Sequence, residues 1–274
     1  MTSLSVRTLS GLQAYREAGS GPVVVLLHAF PLDSEMWLSQ VQAFSDRFRI
    51  LVPDVAGLGA SPELADLTVD RIATSVRDLL DALKISEPIV LGGLSMGGYA
   101  ALAFARLFPK RLRAMILSDT KADADDEAGK TGRDKMIKRV QKEGVLPVIE
   151  QLLPKLVSAH TLKEKPEVVQ RVRDIANRQS RTGVVSALKA LRNRSDARPS
   201  LSSIGIPTLV IVGEDDVITP PVKALELQGG IPQAKLAHIP LAGHLASLEN
   251  ETDFNHAVGS FLEDLNSSGK TGLT

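Results

Sequence analysis

The chain has 274 residues, with 32 Lys+Arg against 32 Asp+Glu, 43% hydrophobic content and no cysteine. That composition describes a globular chain with a sizeable core and excludes disordered or collagen-like polymers. A net charge of zero supplies no basic surplus for phosphates or acidic lipid surfaces, and the lack of cysteine removes disulfides, thiolate nucleophiles and cysteine metal sites.

Nucleic acid and membranes are therefore not expected as partners. The first ten residues lack the basic start and long apolar run of a secretory signal, and no apolar run approaches the length of a bilayer-spanning helix. A soluble, cytoplasmic protein is the expectation.

In chain order, the apolar run "VVVLL" predicts a strand at residues 23–28, followed by a helix over 35–46. A strand at 49–53 and a helix over 69–83 come next. "PIVLGGL" then predicts a strand at 88–94 that runs directly into a helix over 96–108, with a further strand at 112–118. After a long interruption, "TLVIV" gives a strand at 208–212, a helix over 222–228, a strand at 235–238 and a last helix over 251–264. Continuous apolar strands alternating with amphipathic helices are the pattern of a mostly parallel sheet covered on both faces, an α/β fold.

The interruption, residues 121–195, is charged and helical, with apolar side chains at three-to-four-residue spacing. It reads as an inserted helical subdomain between two parts of one α/β core, residues 1–120 and 196–274. The insert holds 17 Lys+Arg and 10 Asp+Glu, leaving 15 against 22 in the rest of the chain. It contains no Phe, Tyr or Trp, so any substrate contact from it is aliphatic or polar. The final "NSSGKTGLT" reads as a frayed, dispensable polar tail.

The segment that carries chemistry is Gly93-Leu94-Ser95-Met96-Gly97, where a buried strand meets an Ala-rich helix. A serine in so sharp a turn needs neighbours without side-chain bulk two positions away on either side, because the strand and helix backbones cross closely there. The turn raises Ser95 above the carboxyl edge of the sheet and aims a helix N-terminus at it. A weakly acidic hydroxyl requires a base, and of the three histidines after Ser95, His160 falls in the insert, His256 in the last helix and His238 in a strand. His244 follows a glycine on the loop between the last strand and last helix, and is the predicted base. The acid is expected just beyond the strand 208–212, where Asp216 is chosen and Asp215 is read as a turn residue. Asp119, ending the strand 112–118, is the alternative acid. Oxyanion donors are expected from the backbone N–H groups of Met96 and of Phe30 in "HAFP", where Pro31 has no N–H to give. His28 is expected to brace that loop. Phe30, Met96 and Tyr99 are the expected pocket neighbours, with Trp37 in the core. "PDVAGLGAS", residues 53–61, reads as a tight turn held by Asp54 rather than as a phosphate cradle, since no Lys-Ser/Thr follows.

Taken in order, "HAFP", "DVAGLGAS", "GLSMGG", "GEDDVITPP" and "LAGHLASLEN" resemble the α/β-hydrolase superfamily, and within it the 3-oxoadipate enol-lactonases, small carboxylesterases and cofactor-free haloperoxidases. The resemblance spans nearly the whole chain, the insert matching the family's helical cap. It implies a triad of Ser95, Asp216 and His244, oxyanion roles for Phe30 and Met96, and no metal or organic cofactor. One departure is Ala29, where the family's commonest pattern has Gly; if that position needs φ > 0, Ala adds strain.

The expected activity is hydrolysis of small carboxylic esters through an acyl-enzyme. The alternatives are a lactone hydrolase of the enol-lactonase kind, a perhydrolase in which peroxide competes with water, and a non-turnover ligand receptor that has kept a triad. The absence of aromatics from the insert argues against a meta-cleavage-product hydrolase with an aryl pocket.

Overall fold

A computed structural model describes residues 2–268. Eight strands form one sheet in the order β1-β2-β4-β3-β5-β6-β7-β8. The strands are β1 (Leu4–Thr8), β2 (Gly11–Ala18), β3 (Val23–Leu27), β4 (Arg49–Pro53), β5 (Ile89–Leu94), β6 (Leu112–Ser118), β7 (Thr208–Gly213) and β8 (Ala234–Ile239). From β4 to β8 every neighbouring pair is parallel, whereas β1 and β2 form an antiparallel ribbon attached to β4. This is the α/β-hydrolase architecture expected from the sequence.

β3, β5 and β7 are buried along their whole length, as continuous apolar runs in a sheet covered on both faces must be. The helices of the body are α1 (Leu38–Phe44), α2 (Val69–Ala82), α3 (Met96–Leu107), α9 (Pro221–Gly230), α10 (Ala246–Glu249) and α11 (Glu251–Ser268). Trp37 is 1% exposed and packs its ring against Phe254 of α11, a core position as expected. Among the described residues no helix is long and apolar enough to cross a membrane.

Several elements depart from the sequence reading. The sequence pattern shows no strand before residue 23, yet β1 and β2 pair from Leu4↔Tyr15 to Thr8↔Gly11. Most of the ribbon is exposed or half-buried, so it lacks the apolar run that marks an interior strand. The helix expected over 35–46 begins as a 3-10 turn, Ser34–Trp37, capped by the Asp33 carboxylate, and becomes α-helical only at α1. The last helix runs on through Asn266 to Ser268, so the first part of the supposed tail is helical; the remainder of that tail lies outside the described residues.

Between β6 and β7 the chain forms α4 (Glu127–Glu143), α5 (Leu146–Leu156), α6 (Ala159–Glu164), α7 (Pro166–Asn177) and α8 (Arg181–Arg192). This insert docks on loops that leave the carboxyl ends of the strands. The Arg178 guanidinium forks onto the Asp33 carboxylate at 2.9 Å on both oxygens, and Gln179 bonds both Asp33 and the Gly59 N–H. Gly183 of α8 lies so close to the Gly57 carbonyl that any Cβ there would overlap it.

Candidate active site

Parallel strands deliver their following loops to one edge of a sheet, and that edge collects the predicted chemistry. Ser95 follows β5, Asp216 follows β7 and His244 follows β8. Ser95 stands at φ 53, ψ −110, a strained conformation outside the usual regions for an L-residue. The strain is over-determined by packing. A Cβ on Gly97 would overlap the Leu27 carbonyl, and one on Gly93 would overlap the Gly97 carbonyl, so only glycine lets β5, β3 and α3 meet here.

The His244 imidazole bridges the other two groups. Its Nε2 lies 2.8 Å from Ser95 Oγ, and its Nδ1 lies 2.8 Å from Asp216 Oδ2. Because a carboxylate only accepts, Nδ1 carries the proton and the Nε2 lone pair faces the serine hydroxyl. All three residues are nearly enclosed, with Ser95 9% exposed and Asp216 and His244 each 2%. Asp216 Oδ1 accepts the N–H groups of Ile218 and Thr219 at 2.8 and 3.0 Å, and Thr219 Oγ1 donates to Oδ2 at 2.7 Å. Burial works against ionisation of Asp216, but His244 and the Thr219 bonds together hold its carboxyl below the usual range.

The alternative acid takes no part in this chain. Asp119 Oδ1 accepts the Gly213 N–H at 2.8 Å and Oδ2 accepts the Ser118 hydroxyl at 2.8 Å, and no hydrogen bond joins it to His244. Complete burial, followed by the charge of Asp216, pushes the Asp119 carboxyl well above its ordinary value. The strand end that made it a candidate points the carboxylate across to β7 instead.

On the β3 side, Phe30 is 8% exposed and its N–H meets no backbone acceptor among the described residues. Met96 is the first residue of α3, where an N–H has no acceptor within the helix. The Phe30 loop is braced by His28, whose Nδ1 donates to the Ala29 carbonyl at 2.9 Å while Nε2 accepts the Val55 N–H at 2.9 Å. Ala29 is not among the residues with positive φ, so its departure from the family's glycine carries no backbone strain. Asp54 binds the Ser34 and Ala60 N–H groups, as a turn-holding residue does.

Tyr99 is not drawn into the constellation. Its ring lies 4.3 Å beneath the Arg194 guanidinium, and it lines a cavity of about 30 Å³ with Arg106 and Lys121 rather than with Ser95 or His244. A tyrosine four positions along α3 from the serine is carried beyond the loop edge into the helix-packing zone.

Two residues escaped the sequence reading. Thr219 follows Asp216 by three positions, the spacing at which an acidic side chain captures backbone N–H groups in a turn. Glu249 is 1% exposed and follows an otherwise largely apolar stretch after His244; a charge in such a run was its only signal.

Residues 22–251 match the model of the family described as the alpha/beta hydrolase fold. The chain is 28% identical over 246 residues to a 3-oxoadipate enol-lactonase of Acinetobacter baylyi, covering 89% of this chain and 90% of that protein. Among solved structures, a thermophilic esterase from Thermogutta terrifontis, in its malate-bound form, superposes with a TM-score of 0.93 at 34% identity, covering 97% of this chain and 99% of that one. The enol-lactonase of Burkholderia xenovorans superposes with a TM-score of 0.88 at 28% identity, over 95% of this chain and 100% of that one. The fold, the matched span and these relatives together place the chain in the α/β-hydrolase family.

Proposed function

We propose that this hydrolase cleaves small carboxylic esters through an acyl-enzyme on Ser95. The observation that carries the reading is the unbroken chain from Ser95 to His244 to Asp216, with 2.8 Å at each link. As Ser95 Oγ attacks the ester carbonyl carbon, its proton passes to His244 Nε2, and the carbonyl π electrons move to oxygen. The Phe30 and Met96 N–H groups stabilise that oxyanion. Collapse breaks the bond to the alcohol oxygen, which leaves with the proton from His244. A water then gives its proton to the same nitrogen and attacks the acyl carbon, and the carboxylic acid departs as Ser95 is reprotonated. Asp216 fixes the tautomer and balances the imidazolium in both halves.

The enol-lactonase relatives favour a second reading, in which the ester is cyclic and the leaving alcohol stays tethered to the acyl group. The test is hydrolysis of p-nitrophenyl esters from acetate to octanoate beside a set of neutral and carboxylate-bearing lactones, with Ser95→Ala as control. The wild type is expected to turn over short esters, and the variant to fall roughly 10⁶-fold in kcat. A clear preference for anionic lactones selects the second reading; equal rates in wild type and variant reject both.

A further inference from the structure

The mechanism assigns no task to Glu249, yet its carboxylate accepts four hydrogen bonds, as many as that of Asp216. Oε1 accepts the Gly243 and Leu245 N–H groups at 2.9 and 3.1 Å, the two peptide donors that flank His244. Oε2 accepts the Ser158 N–H at 2.7 Å and the Thr161 hydroxyl at 2.8 Å, both at the start of α6 in the insert. Four donors converge and no acceptor faces them, an arrangement that only an acceptor-only carboxylate satisfies. Among the described residues no cation pairs with that carboxylate, whose whole satisfaction comes from those four hydrogen bonds. Burying such a group is costly unless every lone pair is engaged, so its environment has to be exact.

The two sides it joins touch elsewhere as well. The Ser158 hydroxyl donates to the Leu241 carbonyl at 2.9 Å, and Lys165 Nζ donates to the Glu249 carbonyl at 2.5 Å. A Cβ on Gly243 would lie 2.7 Å from the Ser158 nitrogen and 2.9 Å from the Val157 carbonyl carbon, so the loop backbone rests directly on the insert.

We infer that Glu249 is a positioning residue that seats the His244 loop on the insert, so that the docking of α6 sets the alignment of the base with Ser95. The inference rests on the role proposed above for His244. One carboxylate holds the N–H groups of Gly243 and Leu245, the residues on either side of the histidine, with one oxygen and the insert with the other. A shift of α6 therefore reaches the His244 loop through a single carboxylate.

The experiment follows phosphonylation of Ser95 by a fluorophosphonate in the full chain, in which Ser95 Oγ bonds to phosphorus, fluoride leaves and the serine proton goes to His244. The amplitude counts folded molecules, while the rate constant reports the alignment of the base. Glu249→Gln turns an amide N–H₂ onto existing donors and is expected to slow the reaction about 100-fold at full amplitude, the scale of a 1 Å misplacement. With a p-nitrophenyl ester the loss should fall on kcat and leave KM in place. Thr161→Val removes a donor from the insert side alone, and is expected to slow the reaction in the same direction by a smaller factor; it stands in if Glu249→Gln does not fold. Wild-type rate constants in the folded variant or variants, even with a lowered Tm, overturn the inference and leave Glu249 a structural acid. A wild type that neither labels at Ser95 nor turns over esters refutes the role of the triad itself, a failure distinct from that one.

Discussion

Asp119 and Asp216 end neighbouring strands, and both are buried, yet their surroundings drive them to opposite protonation behaviour. Asp216 gains a cation-forming partner and four-sided bonding, whereas Asp119 gains only two donors and a like charge. Asp216→Asn is expected to lower kcat about 10⁴-fold, since an amide no longer fixes the proton on Nδ1. Asp119→Asn should leave kcat unchanged, because its oxygen still meets the Gly213 N–H and the Ser118 hydroxyl can rotate to accept from the amide. Its stability effect has a sign. A carboxyl with a raised folded pKa binds more protons folded than unfolded, so the wild type loses stability as pH climbs through that pKa, and the Asn variant does not. Thermal melts from pH 5 to pH 9 should show the Tm advantage of Asp119→Asn growing with pH; a constant difference would contradict the assignment. Asp119 also sits at φ 44, a conformation that Asn tolerates well.

At the scale of elements, the Ser95 turn depends on three backbones crossing at Gly93 and Gly97. Gly97→Ala is expected to cost at least about 2 kcal/mol, since the overlap is with the β3 backbone, which cannot swing aside. Urea unfolding measures it, and a wild-type midpoint would show that β3 and α3 can separate. This turn was fully legible in the sequence, because a buried strand, two spaced glycines and an Ala-rich helix permit few other geometries. His244 and Asp216 were legible from loop position alone. What could not be read were features whose signal is only tertiary. Glu249 is sequence-near to His244, but its other partners, Ser158 and Thr161, lie 91 and 88 residues away. β1 and β2 were hidden because an edge ribbon with one exposed face shows no apolar run, and Tyr99 was misplaced because sequence spacing gives a helix face but not what packs over it.

For the molecule as a whole, the insert and the body form one unit because clamps join them at several strand-end loops. One charged clamp is Asp33, 3% exposed, held by Arg178 and Gln179. Burial opposes its ionisation, but Arg178 and the Glu35 N–H outweigh it and depress the carboxyl. A depressed folded pKa gives stability that is present above the unfolded value and lost as pH falls through the folded one. Asp33→Asn is therefore expected to cost about 2 kcal/mol at pH 7. The gap between variant and wild type should close in acid, as chemical unfolding at pH 7 and pH 3 would test. A gap independent of pH would mean that Asp33 acts by shape rather than by charge.

The unequal charge of insert and body has a consequence for the protein in solution. The insert carries seven excess positive charges and the rest of the chain seven excess negative, while the total is zero. Because the insert docks on strand-end loops at one edge of the sheet, the two excesses are centred apart, and the charge distribution has a dipole without a monopole. Copies then lack the mutual repulsion that a net charge provides, and a head-to-tail attraction between them is the expected consequence. That attraction reaches about 30 Å at 0.01 M salt but only about 8 Å at physiological ionic strength. The protein is therefore expected to be salted in, its light scattering falling as electrolyte is added to a dilute neutral buffer; scattering independent of salt would contradict this.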